Sequence, residues 1–330
     1  MIRVPLHLLE KALSAFLEQY FVSDVAAKCS EVILWAELRG KTGQGLLKLF
    51  GTEPLQSVKA EAPLEILEKT PVSALYFAHK QPSFWVAQKA TEAAIEKSLK
   101  NGVGIVGING IRSSTGPLGF YAEKAAKKDL ICIVCARSAA SVAPFDAKLP
   151  LFGTDPIAFG FPTETDPIVF DMATAAITWY ELVLAKMKNQ KIPEGVALGP
   201  DGALTTDPAQ AMSGCILPFD RSYKGSGLGM MMELLAGPLV GSSYCDCETF
   251  DKDWGVFILC LSPDLLAGTK AFKRNASDLL QIIKQKSFQK TGRAARLPGE
   301  ESHARRCRIL QEGSLDVEED VARLLGLTGA

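Results

Sequence analysis

Apolar positions recur at helical spacing over residues 5–21, where Leu8, Leu9, Ala12, Leu13, Phe16 and Leu17 share a face that Glu10, Lys11 and Glu18 avoid. The same period continues over 24–38 through Val25, Cys29, Val32, Ile33 and Ala36, so the chain opens with a small helical layer. Residues 51–85 lose the pattern around Pro54, Pro63, Pro71 and Pro82. Ala87 to Lys100 is helical again, with Asn101-Gly102 as its stop. Continuous apolar runs at 103–108 and 130–136 predict buried strands, and a third at 168–170 leads into a predicted helix over 173–188. Beyond them the pattern predicts a helix over 229–239, a strand over 254–261, a helix over 264–286, a basic loop over 289–308 and a short helix over 318–325.

Composition narrows the class. Of 330 residues, 47% are hydrophobic and 22% charged, the balance of a soluble globular protein. A net charge of −1 gives no reason to expect nucleic acid or an anionic membrane as partner. No apolar run has the length of a membrane span, and Glu10 and Lys11 interrupt any signal-peptide core. The eight cysteines lie apart, and Cys132 and Cys135 fall within a strand where they do not converge on a metal. Cys245 and Cys247 could pair in an oxidising compartment, which nothing else indicates. A cytoplasmic protein with free thiols is expected.

Two glycine motifs invite a nucleotide reading, and both fail on context. Gly40-Lys41-Thr42 resembles the end of a phosphate loop, but Trp35 stands where that loop needs its first glycine. Gly225, Gly227 and Gly229 follow no predicted strand and precede no suitably placed acid. His79, one of three histidines, is a candidate acid in a loop where a surface residue is the plainer reading.

The informative stretch is 149–241, in which Gly, Pro, Thr and Asp sit between apolar runs, as in turns that present backbone N–H groups to a ligand. Its blocks are Leu151-Phe152-Gly153-Thr154-Asp155-Pro156, Asp171-Met172-Ala173, Ile192-Pro193-Glu194-Gly195, and Lys224-Gly225 with the glycines after it. In this order and at these distances they resemble the malate/L-lactate dehydrogenase family of NAD(P)-dependent oxidoreductases, which also holds ureidoglycolate dehydrogenase and the Δ1-piperideine/pyrroline-2-carboxylate reductases. The likeness is strong over residues 100–241 and traceable at both ends.

That resemblance implies an α/β fold unrelated to the Rossmann dehydrogenases. A mixed-sheet NAD(P)-binding domain would span 71–288, and a helical N-terminal part, 1–70, would join 289–330 in a second domain. It also implies a homodimer, with NADH or NADPH as cofactor and hydride transfer to C2 of a small carboxylate substrate. Thr154 and Lys48 take the family's substrate-binding positions, although Lys48 replaces an arginine and so loses the bidentate fork. Asp171, Met172 and Ala173, the 114–118 turn (Ser114, Thr115, Gly116, Pro117, Leu118), Lys224 and Gly225, and Arg296 and Gly299 match cofactor-contacting positions.

An acid at a strand end can accept two ribose hydroxyls, which suits Asp171; its plainer reading is a helix cap. The catalytic positions depart most. Gly43 stands where the family has the serine of its proton relay, Gln44 replaces the relay histidine, and Ser114 replaces another histidine. Gln44 hydrogen-bonds but does not titrate near neutrality. Glu181 is then the one titratable candidate for the relay, unless it lies on a solvated helix face. These replacements favour a substrate that needs no enzyme acid, a cyclic 2-imino acid, alongside 2-keto acids. The rival expectation is a catalytically impaired member that binds a nucleotide or partner without turnover.

Overall fold

The computed structural model describes residues 1–50, 54–245 and 253–327. Cys247 therefore lies outside the described residues, and with it the suggested Cys245–Cys247 pair. In chain order the elements are β1 (Ile2–Pro5), α1 (Leu6–Leu17), α2 (Ser23–Leu38), β2 (Glu65–Thr70), β3 (Ser73–Phe77), α3 (Ser83–Asn101), β4 (Val103–Ile111) and α4 (Leu118–Ala126). There follow β5 (Ile131–Ala136), β6 (Ile157–Phe161), β7 (Ile168–Met172), α5 (Trp179–Met187), β8 (Ala197–Leu198), α6 (Pro208–Ser213) and β9 (Cys215–Ile216). The chain ends with α7 (Tyr223–Ala236), β10 (Trp254–Leu261), α8 (Thr269–Thr291), α9 (Glu300–Glu312), β11 (Ser314–Val317) and α10 (Glu319–Leu324).

Seven strands form one mixed sheet in the order β2-β3-β4-β10-β5-β6-β7. Only β3 and β4 pair in parallel, joined by the crossover helix α3, while the other neighbours are antiparallel. Alternation along β5 sends Cys132 and Cys135 to opposite faces of the sheet, into different hydrophobic clusters. The larger cluster joins α1, α2, α3, α4, the sheet, α9 and α10. β1 pairs with β11, Ile2 opposite Val317, so the two ends of the chain meet beside it. A second cluster, which includes Val142, Phe152, Ile177, Leu182, Val196 and Ile216, is built from the turn-rich stretch.

Four sequence expectations need correction. The helix predicted over 173–188 begins at Trp179, because Thr178 accepts the Glu181 N–H in a capping box; Asp171 remains on β7 and caps nothing. The helix predicted over 229–239 starts earlier, at Tyr223, so the glycine run lies inside α7. The basic loop expected over 289–308 contains most of α9, whose Glu300 and Glu301 sit favourably in its first turn. The sheet also extends through β2, β3 and β6, which the periodicity does not single out. No helix among the described residues is long and apolar enough to cross a membrane.

Candidate functional site

The site forms where the turn after α2 meets the loop after β4, the end of β7 and the start of α5. α2 ends at Leu38, and residues 41–49 then run through two short 3-10 turns, Thr42–Gln44 and Leu46–Leu49. Glu37 pins this segment, its Oε2 accepting the Leu46 N–H at 3.0 Å. Burial pushes the Glu37 carboxyl up, and that hydrogen bond pulls it partly back.

Gln44 projects toward the loop after β4. Its Oε1 accepts the Ser114 hydroxyl at 3.2 Å, so two replaced positions meet directly. Ser114 Oγ also accepts the Gly116 N–H at 3.2 Å. Residues 115–118 are buried: Thr115 carbonyl accepts the Tyr121 hydroxyl, and Gly116, at φ +69°, lies so close to Phe84 and Val32 that a Cβ there would stand 2.9 Å from each. Ser114 is thus the half-buried member of that stretch, while Thr115, Pro117 and Leu118 face the core.

Asp171, at the end of β7, is paired with Lys41, Nζ to Oδ2 at 2.6 Å. The carboxylate is only 9% exposed, so the ammonium offsets a real desolvation cost. Among the described residues its Oδ1 makes no hydrogen bond. Gly299, in the turn before α9, approaches the same strand so closely that a Cβ there would lie 2.6 Å from the Val169 carbonyl. That brings the turn containing Gly299 against β7, whereas Arg296 is highly exposed and paired with Glu301. Met172 and Ala173 are half-buried against separate apolar clusters.

Thr154 is held by Ser138, whose Oγ accepts the Thr154 N–H at 3.1 Å and lies 3.4 Å from its hydroxyl. The Thr154 carbonyl accepts both the Thr174 N–H and the Thr174 hydroxyl, tying it to the segment after β7. Beneath it lies a buried charge cluster. Arg137 donates to Glu233 Oε2 at 3.0 Å, Glu233 Oε1 accepts the Gly153 N–H, and Asp155 Oδ1 accepts the Ser138 N–H. Asp155 is fully buried, and desolvation followed by the charge of Glu233 pushes its carboxyl well above the usual range. Its Oδ2 receives no hydrogen bond from any donor among the described residues, while the Glu233 carboxyl is its side-chain neighbour, which fits a proton held between the two carboxyl groups.

At the start of α7, Lys224 is exposed and its ammonium has no ion-pair partner among the described residues. Asp220 occupies the helix entrance: its Oδ1 accepts the Ser222 and Gly225 N–H groups at 3.0 Å each. Amides that could receive an anion are therefore already shared with a carboxylate. The hydrogen bond from the Ser222 hydroxyl, with those backbone N–H groups, lowers the Asp220 carboxyl below its ordinary value.

Glu181 sits away from this chemistry. Its Oε2 accepts the Thr178 N–H and hydroxyl at 2.8 and 2.7 Å, which ties that oxygen to the entrance of α5. The adjacent Tyr180 is the residue that reaches the turn: its ring lies against Gly43, and Lys48 Nζ stands 5.6 Å from the ring centre. His79 pairs with Glu65 at 3.4 Å and lines a separate recess of about 170 Å³ with Asn109, Arg112 and Asp253. Sequence reasoning missed Lys41, Tyr180, Ser138 and Asp220 as participants. Lys41 was legible only as part of a failed phosphate-loop motif, and Tyr180 only as the neighbour of Glu181.

The arrangement fits a dinucleotide cofactor. Asp171 Oδ1 is unspent for a sugar hydroxyl, Lys224 offers an uncompensated cation, and the closely packed turn containing Gly299 borders the same strand.

The profile of the malate/L-lactate dehydrogenase family matches residues 4–325. The chain is 36% identical over 290 residues to the malate/(S)-sulfolactate dehydrogenase of Methanothermus fervidus, covering 84% of this chain and 83% of that one. It is 33% identical over 260 residues to the Δ1-pyrroline-2-carboxylate/Δ1-piperideine-2-carboxylate reductase of Pseudomonas syringae pv. tomato, covering 74% and 72% respectively. The crystal structure of Δ1-piperideine-2-carboxylate reductase from the same organism superposes with a TM-score of 0.86 at 26% identity, over 99% of this chain and all of that one (100%).

Proposed function

The chain belongs to the malate/L-lactate dehydrogenase family of NAD(P)-dependent oxidoreductases, and from that we propose that it reduces small cyclic 2-imino acids, with NADH or NADPH as cofactor. The observation that carries the substrate reading is the Ser114–Gln44 hydrogen bond. A hydroxyl and an amide meet at the turn, and neither titrates near neutral pH. Among the described residues the three histidines are elsewhere: His7 is exposed on α1, His79 pairs with Glu65, and His303 lies 3.3 Å from Asp166. A ketone would need a proton for its new alkoxide. A cyclic imine can arrive already protonated and leave as an amine.

The nicotinamide supplies a hydride to C2 when the cofactor is bound. Asp171, Lys41 and Lys224 would hold the dinucleotide, with the 114–118 backbone and the turn containing Gly299 along its path. Lys48 and Thr154 hold the substrate carboxylate, Lys48 by charge and Thr154 by a hydroxyl that Ser138 orients. Gln44 Oε1 has a second lone pair, which accepts the N–H of the protonated imine while Ser114 occupies the first. Glu181, held in its capping box, takes no part.

The functional unit in this reading is a homodimer. Across its 23 residues α8 buries no side chain, and Leu279, Ile282, Ile283 and Phe288 are exposed on it. An Ile282→Lys change should shift sedimentation from dimer to monomer. A monomeric parent protein would remove this assignment.

Substrate class is tested by following nicotinamide absorbance with Δ1-pyrroline-2-carboxylate, Δ1-piperideine-2-carboxylate and a panel of 2-keto acids. Imine reduction should exceed keto-acid reduction by orders of magnitude. Equal efficiency on a keto acid would overturn the imine reading, and failure to bind either cofactor would overturn the enzyme reading as a whole.

A further inference from the structure

Gly43 has no side chain, and the room beside it belongs to Tyr180. A Cβ built on Gly43 would overlap Tyr180 Cδ1 and stand 2.7 Å from Cε1. The aromatic ring is therefore pressed onto the backbone immediately before Gln44. Lys48, one turn further along, places its ammonium 5.6 Å from the centre of that ring, within the reach of a cation–π contact. The Tyr180 hydroxyl makes no hydrogen bond to a described residue.

A phenol is already neutral at working pH, and burial and the nearby Glu37 carboxylate push that of Tyr180 further up, to about 12. A neutral ring presents a negative face to a cation without forming an ion pair. That difference matters, because a tyrosinate would compete with a substrate carboxylate for the same ammonium.

We infer that Tyr180 is a positioning residue for carboxylate recognition: its ring, seated on Gly43, fixes the ammonium of Lys48 toward the substrate. A lysine side chain is long and loses rotamer entropy on binding. An aromatic face that restrains it beforehand recovers part of what the missing arginine fork would have supplied. The glycine at 43 and the tyrosine at 180 are then one feature, since any larger residue at 43 would displace the ring.

This inference rests on the role of Lys48 in the proposed function, but not on the choice between imine and keto acid, since both carry the carboxylate. Tyr180→Phe keeps the ring and should leave KM within about twofold of the parent. Tyr180→Leu removes the aromatic face and should raise KM about three- to fivefold with kcat nearly unchanged. In a Lys48→Ala background the same Tyr180→Leu change should have no further effect on KM.

Two results would overturn the inference. One is an equal rise in KM from Tyr180→Leu with and without Lys48. The other is a loss of kcat in Tyr180→Phe, which would make the hydroxyl, not the ring, the acting group. If the parent reduces keto acids and not imines, the comparison runs unchanged on the keto acid. If it turns over neither, calorimetric binding of proline to the NADPH-loaded protein replaces KM, with the same expected pattern and the same two overturning patterns.

Discussion

Ser114 and Gln44 lie 70 positions apart, and the Ser114 hydroxyl donates to the Gln44 amide oxygen at 3.2 Å. Their contact joins the loop after β4 to the turn after α2 and leaves the proposed reaction centre without an imidazole. Gln44→His should therefore raise keto-acid kcat/KM more than imine kcat/KM. A positioned general acid contributes about 10²–10⁴-fold, and a gain of about tenfold or more on the keto acid is expected. In the parent protein, imine reduction should fall as pH rises through the pKa of the substrate imine. A bell-shaped profile unrelated to that pKa would contradict the mechanism.

Lys48→Ala should raise KM for the carboxylate substrate by about tenfold or more while changing kcat little, since a charge contact to the carboxylate serves ground state and transition state alike. Lys48→Arg should bind at least as well, because the fork matches a carboxylate. Steady-state kinetics on all three proteins decide it, and an unchanged KM in Lys48→Ala would place the carboxylate elsewhere.

Asp220 shares the first amides of α7 with any anion that comes to Lys224. Asp220→Gly should tighten NAD(P)H binding by about two- to fivefold, as the helix entrance regains its positive character. Fluorescence titration of the bound nicotinamide measures this. Weaker binding in the variant would mean that Asp220 itself supports the cofactor.

Asp155 sets an expectation for stability against pH. Its folded carboxyl lies well above the ordinary value, so the folded state keeps a proton that the unfolded chain has lost. That contribution is fully present below the ordinary aspartate pKa of about 3.9 and is lost as pH rises toward the raised folded value. Asp155→Asn cannot lose a proton, and its amide can still donate to Glu233. Relative to the parent, the variant should gain Tm progressively across that window, by about 2–4 °C for each kcal/mol recovered. Melting curves that stay parallel at every pH would exclude the shared proton.

Much of the architecture was legible because its cause is local. The periodicity of 5–21 and 24–38 marks α1 and α2, and the apolar runs at 103–108, 130–136 and 254–261 mark β4, β5 and β10 at the centre of the sheet. The boundaries that failed depended on caps. Thr178 and Ser222 set where α5 and α7 begin, and neither is distinguishable by periodicity from the Ser and Thr residues around it. In the site, Gln44, Lys48, Ser114, Thr154 and Asp171 are recognisable by their place within motifs.

What those residues touch is another matter. Lys41 and Asp171 are 130 positions apart, and Tyr180 reaches Gly43 from a helix on the far side of the sheet's edge strand in sequence order. Spacing along the chain carries element type, because backbone geometry repeats every few residues. It does not carry such pairings, which depend on how close two elements pack and which side chain fills the room a glycine leaves. That is why Glu181 stood out in the sequence by its charge, whereas packing turned its carboxylate to Thr178 and set the neighbouring Tyr180 against the turn.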